Sequence, residues 1–68
     1  MTGTKIIELL KAVNPDSLWG TAIAKVVEIP DAPKVVELVI ELRSQSRDNG
    51  PLMQEILGNE LFTLLMAI

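Results

Sequence analysis

The sequence predicts an all-α fold, a compact bundle of four to five short helices at about 4–13, 15–28, 32–46, 51–57 and 60–67. Three observations lead there. Apolar residues recur at helical period in one segment after another. The segments are separated by residues that stop and restart helices: Asn14-Pro15, the stretch from Ile29 to Pro33, and Asp48-Asn49-Gly50-Pro51. The 68 residues include no cysteine and no histidine, so a single domain over 1–68 has only apolar packing, within the chain or against a partner, to hold it.

In the first helix Ile6, Leu9, Leu10 and Val13 fall on one face, at i, i+3, i+4 and i+7. Asn14 is then an expected N-cap, Pro15 the first helical residue and Asp16 a favourable negative charge in the first turn. From Pro15 to Glu28 the apolar side is Leu18, Trp19, Ala22, Ile23, Val26 and Val27, with Ser17, Thr21, Lys25 and Glu28 opposite. Asp31 is the expected cap of the third helix, with Pro33 in its first turn. That helix keeps a polar stripe of Lys34, Glu37 and Glu41, while Val35, Val36, Leu38, Val39, Ile40 and Leu42 cover much of its remaining circumference. An apolar arc so wide places it centrally in the bundle or against another chain.

Arg43 and Arg47 suit the C-terminal end of the third helix. Gly50 is expected to take a left-handed conformation there, with Pro51 opening the next helix. Within 51–68, Leu52, Met53, Ile56 and Leu57 point roughly 130° away from Leu61, Phe62, Leu64, Leu65 and Ile68 on a single wheel. A break at Gly58, with Asn59 as the following cap, resolves the conflict, and one kinked helix is the alternative. A competing strand reading pairs 22–29 with 35–42 as a hairpin, because Val36, Leu38, Ile40 and Leu42 alternate with their neighbours. Helix is preferred because both segments carry a clean polar stripe at helical period between capping residues.

Apolar residues are 49% of the chain and charged ones 22%. A chain this short buries only about 60% of its unfolded surface, so apolar side chains are left over for a partner. The net charge is −3, and the six basic residues are scattered; without a basic stripe, nucleic acid is not an expected partner. The longest apolar run, Leu64 to Ile68, is far short of the roughly 20 residues of a membrane span. The apolar run after Lys5 is interrupted at Glu8, unlike a signal peptide. A cytoplasmic location is the expectation, with which the lack of cysteine agrees.

Chemistry is sparse. With no histidine, cysteine or tyrosine, the common general bases and soft metal ligands are missing. No catalytic residue, metal, cofactor or small-molecule substrate is expected. Glu37 and Glu41 read as a solvated helix face. Asp48-Asn49-Gly50 reads as a turn, because Ile56 stands where a calcium loop needs a glutamate. The four glycines are isolated and form no phosphate loop. Asp16-Ser17-Leu18 is similar to the tripeptide that carries phosphopantetheine in acyl carriers, without their upstream glycine and long first helix. Ile23 to Pro30 followed by a capped helix resembles helix-turn-helix motifs, which implies DNA contact through the helix at 32–46, with Lys25 and Lys34 on the nucleic acid. Glu28 stands where such motifs carry a turn glycine, and Glu37 and Glu41 would face phosphates.

The expected function is therefore a non-catalytic helical protein–protein interaction module, a homodimer. The alternatives are a small acidic inhibitor or antitoxin-type protein, engaging a basic target through Glu37, Glu41, Asp31 and Asp48, and a helix-turn-helix-like transcription regulator. The expected interaction residues are Trp19, Val36, Ile40, Phe62, Leu65, Met66 and Ile68, with Glu37 and Glu41 beside them. Trp19 can anchor either a core or an interface, and the apolar run at Leu64–Ile68 should tuck into the domain or a partner. The wheel of the third helix makes Val39→Asp a test: it should break the core or the dimer, and a variant retaining both its circular-dichroism helicity and its solution mass would show the wheel to be wrong.

Overall fold

A computed structural model of the chain describes residues 2–29 and 31–68, with the backbone alone for residues 2–4. The described residues form five helices: α1 (Thr2–Lys11), α2 (Gly20–Glu28), α3 (Ala32–Asp48), α4 (Gly50–Leu57) and α5 (Asn59–Met66). The all-α prediction holds. Residues 22–28 and 35–42 are helical, so the hairpin alternative is not realised, and residues 51–68 form two helices rather than one kinked one. The radius of gyration is 10.7 Å, close to the roughly 11 Å of a compact chain this long.

Four of the helices contribute a buried i, i+4 pair: Ile6 and Leu10, Leu38 and Leu42, Met53 and Leu57, Leu61 and Leu65. Ile23 of α2 and Val13, just beyond α1, complete the core. Leu9, Trp19, Val26, Val27, Val39, Ile56, Phe62 and Leu64 pack against it from partly buried positions. The central place expected for the third helix is found: α3 packs on α2, α4 and α5, while α1 closes the arrangement by packing on both α2 and α5. Lys5 Nζ and Glu60 Oε2, 3.2 Å apart, bridge α1 and α5 at the surface, where an exposed ion pair adds little.

The largest departure from expectation is the start of α2. Pro15 does not open a helix, and residues 12–19 form a succession of turns. Asn14 caps no helix, since the N-cap position of α2 is Trp19; its Oδ1 accepts a hydrogen bond from the Asp16 amide at 2.9 Å, an Asx turn that competes with helix. The Ser17 amide then bonds the Asn14 carbonyl, and the Gly20 amide bonds the Ser17 carbonyl. Gly20 explains why the turns persist. A Cβ there would lie 2.2 Å from the Pro15 carbonyl oxygen, so the chain folds back on itself at a position only glycine can occupy. Leu18 and Ala22, expected on the buried side of a helix from 15, are exposed.

Other ends shift by smaller amounts. Asp31 stands at the N-cap of α3 with an extended backbone, and its carbonyl receives the Val35 amide, but its side chain caps nothing. Pro30 of the same break lies outside the described residues. Gly50 is not left-handed, since Gly58 is the only glycine with a positive φ among the described residues. The α3–α4 break is the single residue Asn49. Its amide bonds the Gln45 carbonyl at 2.7 Å, and its own carbonyl accepts the Met53 amide. Gly50 thus becomes the first residue of α4, with Pro51 behind it.

At the α4–α5 corner Gly58 has φ 84° and ψ 160°, a region open essentially to glycine alone. Asn59 is the first residue of α5 rather than its cap, and its Oδ1 accepts a hydrogen bond from Gln54 Nε2 at 2.8 Å. The Gln54 carbonyl also accepts the Gly58 amide, so one residue braces the corner twice. A Cβ at Gly58 would meet nothing within 4 Å, which separates backbone strain from crowding. Gly58→Ala should therefore cost about 1–3 kcal/mol in a denaturant unfolding experiment without loss of native helicity; an unchanged midpoint would mean the corner relaxes freely.

Candidate functional site

Exposed large apolar side chains are what a packed bundle leaves for a partner. Leu18, Ile29, Val36, Ile40, Leu52 and Ile68 are each at least about half exposed and fall in distinct places. The first is the outer face of α3. Its inner face carries Leu38, Leu42 and Ser46 into the core. At about 100° per residue, Val36 and Ile40 lie together on the side turned away, with Pro33 in line before them. Val36 is 55% exposed and Ile40 62%. Arg47 continues the same line towards the C-terminal end of the helix, with the half-buried Arg43 beside it. Glu37 and Glu41 form an adjoining acidic row, and both are exposed. Among the described residues neither makes an ion pair, and Lys34, farther round the helix, makes none either.

The second place is a shallow open groove of about 360 Å³, lined by Asn14, Ser17, Leu18, Leu52, Glu55 and Ile56. It lies where the turns before α2 meet α4. Sequence reasoning missed it, because it put Leu18 on the apolar face of a helix and grouped Leu52 with Met53, Ile56 and Leu57. The signal available was the Pro15–Gly20 spacing, which becomes informative only once Gly20 is seen against the Pro15 backbone. A smaller recess of about 100 Å³ between α1 and α2 is lined by residues including Leu10, Val13, Pro15, Gly20 and Ile23.

The remaining expected interaction residues are dispersed. Leu65 has no exposed surface and belongs to the core; it sits one turn after Leu61 on the inward side of α5, so it offers nothing to a partner in the folded chain. Phe62 is half-buried, and a Cβ on Gly50 would lie 3.8 Å from its ring. Trp19 is likewise half-buried against the core and shows the anchoring role expected of it there. Met66 is partly covered, while Ile68 is 56% exposed. The structure therefore unites Val36, Ile40, Glu37 and Glu41 on α3 and separates them from Trp19, Phe62 and Met66.

No group of three potential metal-ligating side chains occurs among the described residues, and no helix of theirs is long and apolar enough to cross a membrane. The helix-turn-helix resemblance corresponds to α2 and α3, which pack together across a short connection. The exposed side of α3 nevertheless carries Glu37 and Glu41 towards any phosphate backbone. Comparison with known proteins gives no matching family model, no matching curated sequence and no matching solved structure.

Among the described residues Ser46 is the one buried polar residue, 2% exposed, and its hydroxyl has no hydrogen-bond partner among them. No histidine exists in the chain to activate it. It lies on the same inner face as Leu42 and reads as a small residue tolerated for its size. Removing an unpaired buried hydroxyl and gaining alanine's helix preference should make Ser46→Ala more stable by roughly 1 kcal/mol, seen as a raised thermal midpoint; a loss of stability would show that the hydroxyl is satisfied.

Proposed function

We propose that the chain is a non-catalytic protein-interaction module that docks a partner on the outer face of α3. One observation carries the reading: Val36 and Ile40 are more than half exposed on a helix whose opposite face already fills a closed core. Apolar pairs one turn apart on a rigid helix are the anchors that helix-in-groove and helix-on-helix recognition uses.

Self-association is the second reading, favoured by the further apolar exposure at Leu18, Ile29 and Leu52. A two-fold interface would have to be self-complementary. Pairing α3 antiparallel on its copy sets the Glu37–Glu41 row beside its equivalent, while parallel pairing sets Arg47 beside Arg47. Like charges oppose both arrangements, which leaves the groove at Leu18 and Leu52 as the better self-contact.

The test is the double variant Val36→Lys/Ile40→Lys. Because both sites face outward, it should fold with unchanged helicity and stability within about 0.5 kcal/mol of the parent chain. Light scattering across a dilution series reads the second arm. A parent dimer that becomes monomeric in the double variant places a second copy on α3, a dimer that survives places it elsewhere, and loss of fold in the variant would refute the outward face itself.

A further inference from the structure

Resting on the reading of α3 as the docking face, we propose that its occupant is a basic amphipathic helix of a different protein, seated along Val36 and Ile40 with its lysines or arginines over Glu37 and Glu41. Charge selects this occupant. The apolar line from Pro33 to Ile40 is bordered on one side by two exposed glutamates one turn apart. Among the described residues no cation is paired with either; the one ion pair, Lys5 with Glu60, joins α1 to α5. A second copy of α3 returns glutamate to glutamate or arginine to arginine. An acidic helix would meet the same repulsion, and nucleic acid would bring phosphates to the glutamate row.

The length of the patch sets the size of the footprint. Pro33 to Ile40 spans about 10 Å along the axis, two turns, so an apolar i, i+4 pair on the partner suffices to cover it. Beyond Ile40 the line becomes Arg47 with Arg43 alongside, and the Arg43 Nε is buried without a hydrogen-bond partner among the described residues. The occupant's basic residues therefore belong over the N-terminal half of α3, with a polar or acidic end reaching the arginines. That polarity distinguishes an oriented helix from a generic polycation.

The probe is a labelled synthetic peptide of about 18 residues, long enough to form a helix, with leucines at i, i+3 and i+4, lysines flanking them and glutamines at the end that reaches the arginines, titrated by fluorescence anisotropy against the full chain. Binding should weaken as salt rises, and Glu37→Lys/Glu41→Lys and Val36→Ser/Ile40→Ser should each lower affinity by roughly tenfold or more. Glu8→Lys/Glu28→Lys makes the same charge change on α1 and α2 and should leave affinity within about twofold once salt screens the distant charges. The counterpart peptide with glutamate for lysine should not bind. Equal loss in both charge variants, or binding that survives Glu37→Lys/Glu41→Lys, would overturn the proposal by showing attraction to net charge or to another face. A peptide that fails to bind, beside a parent dimer broken by Val36→Lys/Ile40→Lys, would overturn the basic-helix occupant while leaving α3 as the docking face. Failure of the peptide with no effect of that double variant on association would remove both.

Discussion

Helices of eight to ten residues are marginal in water, and four of the five helices here are that short. Their existence depends on burying apolar pairs in one shared core, and α3 supplies the surface on which three of them do so. At 17 residues it is the one element long enough to act as a template. Leu42 on α3 and Leu65 on α5 both have no exposed surface. Each short helix is stabilised by its fit to this arrangement more than by its own propensity, which is why Gly20, Gly50 and Gly58 can stand at helix starts or junctions without unravelling the bundle.

That dependence explains what could be read from the residues in advance. The i, i+4 pairs are local, and they located four of the helices and most of the core: Ile6 with Leu10, Leu38 with Leu42, Met53 with Leu57 and Leu61 with Leu65. The break at Gly58 was legible because two apolar faces could not share one straight helix. The turns at 12–19 were not, because their cause is the close approach of Gly20 to Pro15, a contact between backbones that no periodicity encodes. Gly50 misled for a related reason: Asn49 alone absorbs the change of direction, so no left-handed residue is needed.

The outward face was legible only in part. A wide apolar arc on the third helix implied that something covers both sides of it, and Val36, Ile40, Glu37 and Glu41 emerge together on its outer half. Which half faces inward depends on where α4 and α5 lie, and a wheel alone does not supply that. Leu65 is drawn into the core by the packing of α5, whereas Leu18 is left beside an open groove by the turns before α2. The resulting surface has segregated chemistry: an apolar line, an acidic row at its flank and arginines at its far end. Such segregation governs discrimination between partners more than it governs the strength with which any one is held.

The order of packing has a kinetic consequence. α1 meets α2, α2 meets α3, α3 meets α4 and α4 meets α5, so most of the bundle assembles between neighbours along the chain. Little loop-closure entropy must be lost before such contacts begin to stabilise one another, and bundles of this kind fold in roughly microseconds to milliseconds. The contact of α3 with α5 skips one helix, and the docking of α1 on α5 spans nearly the whole chain. That closure brings no new helix into being, and its transient opening would leave every contact between chain neighbours in place, a partial unfolding open to this topology.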